Sequence, residues 1–277
     1  MKKILVPVDF SNYSEYALEI AAQIAREKDA EIVVLHMMGL TDTSLKIEES
    51  RKVFEAIYHL KLTETRFREF LDKEYLKGLK VTDTVQNYKI FSELDQVAEE
   101  LGVDLIVMGS HGSSGLKEVF VGSNTEKVVR TSRVPVLVVK HRNPNFKMEK
   151  VVFACDFNLD LIAPFKKALD FFNSFGSEVQ LLFVNLPEKF MSTQEMEAQA
   201  NKFMNEAEIY DVELFQNIVH YNDYTLEDGI YSFSNSYNAD VIALPTHGRR
   251  GLAHFFSLNV GEAIVNHTDL PIITFKM

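Results

Sequence analysis

The stretch VDLIVMGSHGSSGLKEVFVGSN, Val103–Asn124, begins as an apolar run and then leaves it through small residues. Val103–Met108 is hydrophobic almost without interruption, as a strand buried on both faces of a parallel sheet would be. Gly109 and Gly112 follow, nine residues intervene, and Gly122–Ser123 opens a segment with helical character. Gly109 and Gly112 admit positive φ in the turn and let backbone N–H groups face an anion. A helix starting at Ser123 and Asn124 adds free N–H groups and the positive end of its dipole. Together the two elements can grip a polyphosphate. Taken singly, a glycine only makes a turn and Ser123 only caps a helix.

Outward from this stretch, short apolar strands alternate with helical patterns. Lys3–Val8 reads as a first strand, and the following helix carries Ala17, Leu18, Ala21, Ala22 and Ile24 at helical spacing, capped by Ser11 or Ser14. Glu31–His36 is the second strand. An amphipathic helix over Leu45–Leu76 follows, with Val53, Ile57, Leu60, Phe67 and Leu71 on one side. Val81–Tyr88 (strand), Ser92–Leu101 (helix), Asp104–Met108 (strand), Ser123–Thr131 (helix) and Pro135–Val139 (strand) complete the unit. This alternation predicts an α/β fold with a doubly wound, open parallel five-stranded sheet in the order 3-2-1-4-5. The chain reverses direction between strands one and four, and ligands in such sheets bind at that crevice, beyond the carboxyl ends of the strands. Asp9 leaves strand one there, either as a ligand contact or as the cap of the next helix.

The whole unit occurs twice. ILVPVDF (Ile4–Phe10) is echoed by VVFACDF (Val151–Phe157), and AEIVVLHM (Ala30–Met37) by SEVQLLFV (Ser177–Val184), both 147 residues later. VDLIVMGSHG (Val103–Gly112) is echoed by ADVIALPTHG (Ala239–Gly248), and RVPVLVVK (Arg133–Lys140) by DLPIITFK (Asp269–Lys276), both 136 residues later. Repeats of this length are domains. We assign them to residues 1–142 and 149–277, joined by the polar HRNPNFKME, His141–Glu149.

Composition narrows the function. With 277 residues, 46% hydrophobic and 25% charged, the chain has the balance of a soluble globular protein. No apolar run approaches the roughly 20 residues of a membrane span. MKKILVPVDF lacks the apolar core of a signal peptide because Pro7 and Asp9 interrupt it, so a cytoplasmic location is expected. A net charge of -11 opposes nucleic acid and anionic lipid. The single cysteine, Cys155, excludes an intramolecular disulfide and a cysteine-rich zinc site, and reads as a small buried residue.

The glycine spacing and the repeat resemble the universal stress protein family, in its tandem form. ATP-binding members of that family carry G-x2-G-x9-G-(S/T) after strand four, matched here by Gly109, Gly112, Gly122 and Ser123. PVDFS (Pro7–Ser11), VLHM (Val34–Met37) and RVPVLVVK support the match, which covers essentially the whole chain, strongly in the first half and weakly in the second. The resemblance implies ATP in the first half, with Val8 and Asp9 at the adenine and ribose end and Met37 lining the base pocket. Met108 would contact the nucleotide, while Gly109, Gly112, Gly122, Ser123 and Asn124 would hold ribose and phosphates. Asp9 is the candidate for a phosphate-bridged Mg²⁺. The resemblance also implies an intrachain pseudo-dimer in which the two apolar fifth strands, otherwise exposed edges, meet about a pseudo-twofold axis. A homodimer of whole chains and an unidentified protein partner stay open.

The second half departs from this pattern. PTHGRRGLAHFFSLN has Pro245 for Gly109, Leu258 for Gly122 and Asn259 for Ser123, and only Gly248 remains. Proline lacks an N–H, and leucine would project where a phosphate needs room. Arg249 and Arg250 read as a solvated loop and Asp156 as a helix cap, so no ATP is expected there. Nothing in the chain demands catalysis: the P-loop, H-E-x-x-H and G-x-S-x-G motifs are all missing. His111, His247 and His36 read as loop-ordering or packing residues, and no catalytic or metal-binding residue is assigned. The leading expectation is a nucleotide-binding regulatory protein. A slow ATPase or nucleotidyl-transfer enzyme using the same pocket is one alternative. A scaffold whose second half binds an apolar ligand or a protein is another.

Overall fold

A computed structural model describes residues 1–37, 61–86, 94–110, 123–246 and 270–276. The first half runs β1 (Lys3–Val8), α1 (Asn12–Lys28), β2 (Glu31–Met37), α2 (61–71), β3 (Val81–Gln86), α3 (Leu94–Glu100), β4 (Leu105–Gly109), α4 (Ser123–Thr131) and β5 (Val136–Val139). The second runs β6 (Lys150–Ala154), α5 (Ile162–Phe175), β7 (Glu178–Asn185), α6 (Thr193–Glu206), α7 (Val212–Gln216), β8 (Val219–Asn222), α8 (Leu226–Tyr237), β9 (Val241–Thr246) and β10 (Ile272–Lys276). Of the helix expected over Leu45–Leu76, residues 45–60 with Val53, Ile57 and Leu60 lie outside the described residues. The described part stops at 71, short of the expected end. Lys73 turns extended (φ -128°, ψ 135°) and its ammonium reaches Glu15 on α1, and a separate 3-10 turn, Glu74–Leu76, buries Leu76.

The ten strands among the described residues form one sheet, in the order β3-β2-β1-β4-β5-β10-β9-β6-β7-β8. Each half has the expected 3-2-1-4-5 order with parallel neighbours. Among the described residues the one antiparallel pair, β5 with β10, joins the halves. Leu137 faces Ile273, with Val138 opposite Ile272 and Val136 opposite Thr274. Leu137 and Ile273 are equivalent positions of the repeat, so the pseudo-twofold axis passes between them. The expected meeting of the fifth strands is what the structure contains, as a continuous sheet.

Parallel strands covered on both faces need two apolar layers, and the strands supply them by alternation. Ile4, Val6 and Val8 point to the layer under α1, α2, α5 and α6, whereas Leu5 points to the layer under α3, α4 and α8. Both layers run through both halves. The linker is not slack: Arg142 donates from Nε and a terminal nitrogen to both carboxylate oxygens of Glu19 on α1, each at 2.9 Å. Gln23 of α1 donates to the Asn143 carbonyl and accepts from the Phe146 N–H. Lys28, at the end of α1, donates to the Ser174 carbonyl and lies 4.0 Å from the centre of the Phe175 ring. Lys167 and Lys276 of the second half donate to the Arg133 and Thr131 carbonyls at the end of α4. Among the described residues no helix is long and apolar enough to cross a membrane.

Candidate functional site

β1 ends in a turn that recurs in the second half. The Asp9 carboxylate accepts from the Ser11 N–H at 3.0 Å, and that of Asp156 from the Asn158 N–H at 3.1 Å. Between them stand Phe10 (φ 63°) and Phe157 (φ 54°), both left-handed. A bulky side chain there costs on the order of 1–3 kcal/mol and persists only when its surroundings hold it. Ring contacts do so: Phe10 lies 4.6 Å from His36, 5.2 Å from Phe67 and 5.5 Å from Phe70, and Phe157 lies 5.5 Å from Phe203. His36 Nδ1 donates to the Val8 carbonyl at 2.8 Å, which fixes that tautomer and ties β2 to the same turn. This is the packing role expected of His36.

Neither aspartate caps a helix in the way considered from sequence. Ser11 caps α1, its hydroxyl accepting from the Ser14 N–H. After Asp156 the chain makes an uncapped 3-10 turn, Leu159–Leu161, before α5. In both places the short Asp side chain satisfies the turn itself, and after Asp9 capping falls to Ser11.

Gly109 does not take the positive φ inferred for it. It is the last residue of β4, paired with Val139. A Cβ on it would stand 2.7 Å from the Tyr13 carbonyl carbon and oxygen and 2.8 Å from the Tyr13 Cβ. The glycine admits the first turn of α1 close against β4. Pro245 occupies the equivalent place in β9, and the counterpart of α1 in that half, α5, is preceded by the 3-10 turn Leu159–Leu161.

Of the predicted site residues, Val8, Asp9, Met37, Met108 and Gly109 stand at or next to the carboxyl ends of β1, β2 and β4. Val8 is buried with its carbonyl engaged by His36, Met37 is half-buried, and the Met108 side chain is packed into the α3/α4 layer. The Thr125 hydroxyl donates to the Gly109 carbonyl at 2.9 Å, pinning the first turn of α4 over the end of β4. That places Ser123, the first residue of α4, and the exposed Asn124 at the crevice. Gly112 and Gly122 lie outside the described residues, as do His111, His247, Gly248, Arg249, Arg250, Leu258 and Asn259. Cys155 is buried, and burial pushes its thiol pKa up, as suits an inert core residue.

Asp9 and Phe10 also line an open groove of about 530 Å³ whose far wall is α2 and the residues just after it: Arg66, Glu69, Phe70 and Lys73. Lys73 is paired with Glu15 at 2.6 Å, and the Arg66 guanidinium lies 5.9 Å from the Phe10 ring centre. None of these α2 residues was singled out from sequence. Arg66 and Glu69 are on the exposed side of α2 and Phe70 is on its buried side, and only the tertiary fold shows that they line a groove with Asp9. The groove has the size of a small-molecule site and pairs aromatic with charged side chains. Among the described residues no cluster of three or more His, Cys, Asp or Glu side chains is placed to hold a metal.

Comparison with known proteins matches the chain twice to the model of the universal stress protein family, over residues 1–140 and 147–276. Universal stress protein MJ0577 of Methanocaldococcus jannaschii is 37% identical over 160 residues, 51% of this chain and 96% of that protein. Universal stress protein YxiE of Bacillus subtilis is 35% identical over 150 residues, 50% of this chain and 98% of that protein. The crystal structure of a universal stress protein from Archaeoglobus fulgidus, 21% identical, covers 99% of this chain and 96% of its own at a TM-score of 0.60, a likeness of fold.

Proposed function

This chain belongs to the universal stress protein family, carrying the family's domain twice, and from that premise we propose that it is a regulatory protein that binds one ATP. The nucleotide is held by the first domain, residues 1–142. The second, residues 149–277, keeps the fold without the site. The observation that carries this reading is the asymmetry of the repeat: Gly109, Gly112, Gly122 and Ser123 complete the phosphate motif in one half, and Pro245 and Leu258 break it in the other. In the first half Ser123 and Asn124 begin a helix whose free N–H groups suit phosphate. Asp9 and Met37 stand at the neighbouring strand ends, where ribose and base would lie. When Mg²⁺ accompanies the phosphates, Asp9 is the carboxylate on hand to hold it.

Calorimetry on the intact chain tests the reading, with a stoichiometry of one ATP expected. Two would mean that the second half is a working site after all. Gly122→Leu, which copies Leu258, should leave the thermal melt within a few degrees of the parent and abolish measurable ATP binding. A displaced phosphate loses several charge-assisted hydrogen bonds of roughly 1.5–3 kcal/mol each. Unchanged affinity in Gly122→Leu would move the phosphates elsewhere.

A further inference from the structure

The groove beside Asp9 carries a positive group on α2, a helix on the opposite face of the sheet from α4. Phe10, Phe67 and Phe70 belong to the layer under α1 and α2, whereas Val128 and Val129 of α4 belong to the layer on the other face of the sheet. Arg66 on α2 and the start of α4 therefore belong to helices on opposite faces of the sheet. Lys73 is already neutralised by Glu15. Arg66 lies 5.9 Å from the centre of the Phe10 ring and has no acceptor for its N–H donors among the described residues. The other charged groups lining the groove are the carboxylates of Asp9 and Glu69.

Resting on the nucleotide reading above, we infer that Arg66 is a specificity residue that makes the site favour adenine nucleotides bearing a phosphate on the ribose 2′ or 3′ oxygen. A carboxylate at the ribose end suits free hydroxyls and repels a phosphate, and a neighbouring arginine reverses that preference. The guanidinium offers a planar fork that matches phosphate in two hydrogen bonds. The space for the added group is the groove itself, which opens from Asp9 toward α2. Because Asp9 and Glu69 oppose an anion there, the preference depends on the one arginine.

The test is calorimetry on the full chain at fixed salt with 5′-AMP, adenosine 2′,5′-bisphosphate and adenosine 3′,5′-bisphosphate. At least one bisphosphate should bind about tenfold more tightly than AMP, the effect of one moderate charge-assisted contact. In Arg66→Gln that ratio should fall to about one. Arg68→Gln, an exposed neighbour on α2 that does not line the groove, should keep it. Bisphosphates that bind no better than AMP, or a preference that survives Arg66→Gln, overturn the inference while leaving the ATP site standing. If neither these nucleotides nor ATP bind, the nucleotide reading itself fails and takes the inference with it.

Discussion

Gly109 does two jobs at once, and they can be separated by substitution. Its missing side chain lets Tyr13, in the first turn of α1, approach β4, and its carbonyl anchors Thr125 of α4. Gly109→Ala pushes a methyl group into backbone atoms that cannot rotate away. We expect a loss of about 1–3 kcal/mol, the usual cost of overpacking, read as a lower urea midpoint. A glycine kept only for a ligand would show the opposite pattern, with stability unchanged and affinity lost, which is what we expect at Gly122. The motif was legible as spacing, but the reason for its first glycine was not. That reason lies in Tyr13, far away in sequence, and no local pattern announces a close approach between a strand end and a helix start. The left-handed Phe10 was equally hidden: an aromatic residue after aspartate reads as core, and its backbone angle follows from the ring contacts that trap it.

Strands and short helices were readable at the level of elements because hydrophobic period and length decide them. α4 begins and ends where its pattern does, at Ser123 and Thr131. The segment after α2 was not readable, since Lys73 leaves the helix to reach a partner on α1. The linker misled in the same way. His141–Glu149 has the composition of a free connector, yet Arg142 and Asn143 are bound to α1. Glu19 is the buried member of that tie, with its side chain 8% exposed. Removing the arginine leaves a buried carboxylate unpaired, which is worse than having no charge there. Arg142→Ala should therefore lower the melting temperature, and adding Glu19→Gln to it should recover part of the loss. A double variant that melts below Arg142→Ala would show that the strap acts through packing and not through charge.

At the scale of the molecule, the order of strands within each half followed from the alternation, and the fusion of the two sheets followed from two apolar fifth strands that needed covering. β5 and β10 cover one another, which leaves β3 and β8 as the outer strands of the sheet. Residues 1–142 alone would expose the apolar edge of β5. By sedimentation we expect that fragment to be a dimer pairing β5 with β5 about Leu137, and Val138→Lys to make it monomeric. A monomeric parent fragment would mean that the pairing depends on the specific partner strand.

Lys28 and Phe175 stand 147 residues apart, the offset of the repeat itself, and they touch each other. Two separate identical chains would have to set lysine against lysine or phenylalanine against phenylalanine at this place. Covalent fusion lifts that restriction, because each copy of a self-facing position is written once and can be changed alone. An ammonium over an aromatic face is a pairing that strict symmetry forbids. One copy can likewise keep its glycine motif while the other loses it, without the assembly coming apart.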